Sequence, residues 1–110
     1  MKDEIISPQE IHNLAKEKGW WDDGERNFGE LISLCHSELS EAFEDYRNRK
    51  DINEIYYERD KPCGIPIEFA DLLIRIFDLC GYHNIDIIKA VEIKHEYNKT
   101  RPYRHSGKKA

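Results

Sequence analysis

Glu38 and Glu41, and then Glu68 and Asp71, form two pairs of acids, each pair three residues apart. The apolar spacing around them predicts that each pair lies on a helix and that Glu38 and Asp71 fall inside the apolar stripes of those helices. A buried, unpaired carboxylate is costly or must take up a proton. Positions i and i+3 are about 60° apart around a helix, so both members of a pair can reach one ion. The simplest compensation for four converging acids is a divalent cation. Magnesium prefers oxygen ligands and bridges carboxylates to substrate phosphates, and manganese is its natural substitute. A carboxylate left over can orient or deprotonate an attacking water. Lys94, Asn98 and Arg101 continue one helical face. They supply a point charge, an amide and a guanidinium fork for the far side of a polyphosphate.

The elements that must position these residues read as helical almost throughout. Ser7-Pro8-Gln9-Glu10 is a capping box with Pro at the first helical position, predicting a helix from Pro8 to Lys18 that ends at Gly19. Trp20 and Trp21 follow in a loop. Packing against the bundle is the ordinary reading for them, and a stacking surface for a base is the functional one, with Trp21 as the candidate. A second helix is expected over 27–49, with Leu31, Leu34, Cys35, Leu39, Ala42, Phe43 and Tyr46 facing the core. Lys50 to Ile65 is polar and reads as a long connection with a short helical piece around Ile52–Tyr57. A third helix is expected from Pro66 to Cys80, capped by Gly81, and apolar on most sides. A fourth is expected over 84–101, with Ile87, Ile88 and Val91 packed inward.

Composition limits the function classes. A chain of 110 residues makes one domain, or one half of a helical dimer. With 39% hydrophobic and 35% charged residues its core is thin, and burial against a second copy would help. The net charge of −5 disfavours nucleic-acid binding. No apolar run spans a bilayer, no signal peptide is visible, and Cys35, Cys63 and Cys80 form no Cys-x-x-Cys. These features point to a cytoplasmic protein with reduced thiols.

Several residues carry plainer readings. Glu38 and Asp71 could pair with Arg75 or Lys94. Asp78, about 10 Å along the axis from Asp71, is expected to make a structural hydrogen bond or ion pair. Arg75 is expected to pair along its own helix, and His36 and His83 to satisfy local hydrogen bonds. Glu92-x-x-His95 matches half of a di-iron carboxylate bundle, which needs two such motifs. A helical interaction module without catalysis is the other alternative.

The string His36-Ser37-Glu38-Leu39-Ser40-Glu41-Ala42 resembles the first acidic motif of the MazG-like all-α nucleoside triphosphate pyrophosphohydrolases. Glu68-Phe69-Ala70-Asp71, followed by Leu72-Leu73-Ile74-Arg75, resembles the second. Lys94, Tyr97-Asn98, Arg101-Pro102-Tyr103 and His105-Ser106-Gly107-Lys108 are similar to the C-terminal elements of that family. The resemblance implies an all-α bundle of about four helices that associates as a homodimer or homotetramer. It also implies magnesium-dependent cleavage of a nucleoside triphosphate to the monophosphate and pyrophosphate. By position it makes Glu38, Glu41, Glu68 and Asp71 the metal ligands, with Glu38 or Glu41 doubling as base. Lys94, Asn98 and Arg101 become substrate contacts, joined by Tyr103 and Lys108. Many members carry two adjacent acids where this chain has Ser37-Glu38, so the ion count and the identity of the base stay open.

Overall fold

Ser7 starts the first helix as its sequence requires. Its hydroxyl accepts from the Glu10 N–H at 3.1 Å, and the Glu10 carboxylate accepts from the Ser7 N–H at 3.1 Å. A computed structural model describes residues 6–103. Within them the chain is mostly helical: α1 (Pro8–Glu17), α2 (Phe28–Arg47), a two-stranded antiparallel sheet of β1 (Tyr56–Glu58) and β2 (Lys61–Cys63), α3 (Ile65–His83) and α4 (Ile87–Lys99). The Asn27 side chain caps α2 by accepting from the Glu30 N–H, and Asp86 caps α4 by accepting from the Lys89 N–H. No helix among the described residues is long and apolar enough to cross a membrane.

Both α1 and α2 pack on α3, which is the central element. The core consists of Ala15, Trp21, Leu31 and Leu79, with Leu34 and Tyr82 against it. The Trp21 ring stacks on Tyr82 at 4.1 Å and 5°. Its Nε1–H donates to the buried Asp78 carboxylate at 2.9 Å, and His12 Nδ1 lies 2.7 Å from the same oxygen. Asp78 is therefore the structural acid expected of it. It joins α1, the tryptophan loop and α3 at one buried point, where unpartnered polar groups would be costly.

Four expectations are corrected. First, α3 does not stop at Cys80: it runs on to His83, where Asn84 takes a left-handed conformation (φ 58°, ψ 37°) and its N–H reaches the Cys80 carbonyl. Gly81 is a close-approach site instead of a cap. There α1 crosses so near that an added Cβ would stand 2.6 Å from the His12 Cβ.

Second, residues 52–57 form no helix. The Asp51 side chain accepts from the Asn53 N–H to make a turn, and Tyr56-Tyr57-Glu58 then extends to pair with Lys61-Pro62-Cys63. Aromatic residues suit a pleated strand. Gly64, at φ 122°, passes so close to Glu54 that a side chain there would overlap its carbonyl oxygen.

Third, the α2 stripe is only partly covered. Leu31, Glu38 and Ala42 are buried, but Leu39, Phe43 and Tyr46 are 47%, 60% and 62% exposed. Fourth, α4 has no buried residue and shares no extended packing face with the other helices. Ile88 and Val91, expected inside, are exposed, and Ile87 is half-buried. Periodicity identifies an apolar face correctly but not the body that covers it.

Candidate metal centre

Glu38 occupies the α2 stripe one turn from Leu34 and one turn from Ala42, so packing of α2 on α3 carries its carboxylate into the helix–helix seam, where it is 7% exposed. Glu41 lies a little under one turn on, at the solvent edge. Glu68, half-buried in the first turn of α3, meets them from the other side. One carboxylate oxygen from each of Glu38, Glu41 and Glu68 lies within 4.8 Å of the other two, the one such grouping of potential ligands among the described residues. Asp71 stands beside the three without joining that closest group.

The electrostatics follow from this crowding. Burial, then the charges of Glu41, Asp71 and Glu38, push the Glu68 carboxyl up to about 7. Burial and Glu38 also raise Asp71, against the opposing pull of Arg75. Glu68 Oε1 is buried and has no hydrogen-bond partner. Acids on two helices, one with an orphaned oxygen and with its carboxyl raised by burial and by its acidic neighbours, fit a hard divalent cation with oxygen ligands.

Arg75 departs from its expected role. It reaches across the seam instead of along its own helix, and its Nε–H donates to Glu38 Oε2 at 2.6 Å. The plain ion-pair reading of Glu38 is thus realised, while Asp71 feels the positive charges of Arg75 and Lys61, and Glu68 is left among like charges. On its other side Arg75 lines a cleft of about 400 Å³ with Trp20, Asp23, Arg26 and Leu34.

The two tryptophans part company here. Trp21 is buried, with its ring on Tyr82, its N–H on Asp78 and the Arg26 guanidinium 5.7 Å from its centroid. Trp20 is exposed at the cleft. The sequence reading passed over Arg26 entirely. For Arg75 a signal existed: it lies four residues after Asp71, on the side of α3 that carries the acids.

Among the described residues, no hydrogen bond, ion pair or pocket joins Lys94, Asn98 or Arg101 to the acids. Lys94 and Asn98 sit on α4, where the Lys94 ammonium lies 4.9 Å over the Tyr97 ring. Arg101 and Tyr103 follow that helix and are exposed, and Lys108 lies outside the described residues. Glu92 and His95 are on α4 as well, exposed, and they belong to no group of metal-type ligands among the described residues. No protein-family model, characterised protein or solved structure matches this chain.

Proposed function

We propose that the chain is a magnesium-dependent nucleoside triphosphate pyrophosphohydrolase of the MazG-like kind, converting a ribo- or deoxyribonucleoside triphosphate to its monophosphate and pyrophosphate. The supporting observation is the convergence of Glu38, Glu41 and Glu68 from two helices within 4.8 Å, with one buried carboxylate oxygen left unpartnered. With Asp71 these residues would hold magnesium, or manganese in its place. When bound, such an ion offsets phosphate charge and makes water a better nucleophile. Glu41 is the exposed member and is open to water, which suits it to orient the attacking molecule and accept its proton. Glu38 is fixed by Arg75, a cation that holds its carboxylate in one orientation. Trp20 offers an open ring to a base at the neighbouring cleft, and Arg26 and Arg75 offer donors to anionic oxygens.

The reading places the protein in the cytoplasm as a homodimer or homotetramer, with a free nucleotide as substrate and neither nucleic acid nor membrane as partner. Its test is chromatographic analysis of the products from a panel of canonical and modified nucleotides. Monophosphate and pyrophosphate are expected. Diphosphate and inorganic phosphate would refute the cleavage position. The exposed apolar residues of α2 and α3 favour a second reading, a helical interaction module without catalysis. That reading requires that magnesium leave the melting temperature unchanged.

A further inference from the structure

The acids of the metal centre form a row with two different ends. On α2, Leu34, Glu38, Glu41 and Asp45 follow one another at three- and four-residue steps, so they share one face over about 16 Å. On α3, Arg75, Asp71 and Glu68 run beside them in the opposite direction, with Arg75 bonded to Glu38. At one end Leu34 and Arg75 open into the cleft that carries Trp20 and Arg26. The other end belongs to the β1–β2 hairpin. Lys50, three residues beyond the end of α2, has its ammonium 4.5 Å over the ring of Tyr56 in β1. Strand β2 leads through Gly64 into α3, one turn before Glu68.

The register of that hairpin decides which of its side chains face the row. Opposed residues of an antiparallel pair point to the same side of the sheet, and successive residues point to opposite sides. Tyr56 opposes Cys63 and Glu58 opposes Lys61, so these four share a face, while Tyr57 and Pro62 lie on the other. Tyr56 and Cys63 are half-buried, whereas Tyr57 and Pro62 are exposed. Lys61 thus continues the covered face outward. Its charge reaches the metal centre: burial and then Glu38 raise the Asp71 carboxyl, and Lys61 joins Arg75 in opposing the rise. The close passage of Gly64 by the Glu54 carbonyl pins the base of the hairpin against the segment before it.

Two cations therefore act on the acids, and their commitments differ. Arg75 is bonded to Glu38. Lys61 is exposed, and among the described residues its ammonium enters no ion pair, either with Glu58 opposite it or with Asp71. An ammonium on a paired strand, held near carboxylates it does not bond, is placed for an anion that arrives from outside.

We infer that Lys61 contacts the terminal phosphates of a triphosphate laid along the acid row, with the base at the Trp20 end. This placement rests on the pyrophosphohydrolase reading and gives the substrate a direction. The two phosphates that leave together lie at the hairpin, and the nucleoside monophosphate lies at the cleft. The anhydride bond between the α- and β-phosphates, across which water is added with release of a proton, then lies over Glu41 and Glu68. The Lys61 ammonium offsets the charge that gathers on the departing pyrophosphate.

Calorimetric titration of the full chain in magnesium tests both ends without relying on turnover. The probes are inorganic pyrophosphate and the common ribo- and deoxyribonucleoside monophosphates. Lys61→Ala should weaken pyrophosphate binding about tenfold, as loss of a charge-assisted hydrogen bond does, and leave monophosphate binding within about twofold. Trp20→Ala should do the reverse. Lys61→Arg should keep the pyrophosphate affinity, and Lys89→Ala, which removes the same charge from α4, should leave it unchanged. If Lys61→Ala lowers the melting temperature, Lys61→Met, which keeps the aliphatic stem, carries the test. Unchanged pyrophosphate binding in these Lys61 variants overturns the inference. So does an equal loss in Lys89→Ala, which would make the effect one of overall charge. A Lys61→Ala loss that falls on the monophosphates would reverse the direction and overturn it too.

Product analysis separates this contact from the reading beneath it. Monophosphate and pyrophosphate formed by the wild type, with pyrophosphate binding indifferent to residue 61, would keep the enzyme and discard the Lys61 contact. Selective loss of pyrophosphate affinity in Lys61→Ala, in a chain whose wild type hydrolyses no nucleotide, would discard the enzyme and keep Lys61 as an anion contact.

Discussion

At the scale of single residues the decisive quantity is the charge that the seam between α2 and α3 must hold. Arg75 neutralises one carboxylate of four, and only Glu38 bonds to it. Removing the guanidinium leaves Glu38 buried without a countercharge. Arg75→Gln should therefore cost on the order of 1–3 kcal/mol in chelator-treated protein, read by urea denaturation, and magnesium should recover part of it. A full loss that magnesium does not touch would mean that Arg75 serves packing alone. Glu68 gives the pH dependence. Its carboxyl rises from 4.5 to about 7 on folding, so across that window the folded chain binds more protons than the unfolded one. Stability of the metal-free protein should fall as pH rises through it, and Glu68→Gln should flatten the profile. Magnesium, by replacing the proton, should do the same. A melting temperature that climbs between these pH values in the metal-free protein would contradict the arrangement. The acids themselves were legible in the sequence because i, i+3 spacing within an apolar stripe is a local pattern. Arg75 was legible as one of two cations that could pair with Glu38 or Asp71, but which pair forms was not, because that depends on which face of α2 the neighbouring helix meets.

At the scale of elements the contact of α1 with α3 depends on the absence of a side chain at residue 81. Alanine there would gain roughly 1 kcal/mol of helix propensity. It would also force its Cβ to within 2.6 Å of His12, which is tied to Asp78 and cannot retreat freely. Overpacking of this kind costs about 1–3 kcal/mol. Gly81→Ala should therefore destabilise on balance, and thermal unfolding would show it. A stabilised variant would mean that α1 is looser than its contacts indicate. The glycine was read as a helix stop because a glycine after an apolar run ordinarily is one, and a helix crossing leaves no mark in the sequence. The hairpin of β1 and β2 was missed for a related reason. Each strand is three residues long, too short for alternation to show.

At the scale of the whole molecule the folded unit and the associated unit need not coincide. Helix α4 and the second half of α2 carry apolar stripes of the right period, yet Leu39, Phe43, Tyr46, Ile88 and Val91 are exposed in one copy. If those faces are covered by another chain, the melting temperature should rise with protein concentration, because association draws on the folded state. A concentration-independent transition would separate stability from self-association. The sequence displays which faces are apolar but not whether the covering surface belongs to the same chain, because the pattern is identical in both cases. For the same reason the acids and the Lys94–Asn98 face are legible separately, and the pattern does not say whether they meet.

The neighbouring indoles of residues 20 and 21 have opposite environments, one bathed in water beside a cleft and one walled in by an aromatic ring and a carboxylate. The chain thus carries two intrinsic fluorophores with separable signals. Iodide should quench the red-edge emission of Trp20 and leave the bluer emission of Trp21 intact until α1 lets go. A nucleotide entering the cleft would shield the first without disturbing the second, so occupancy and unfolding can be followed in one cuvette without a label.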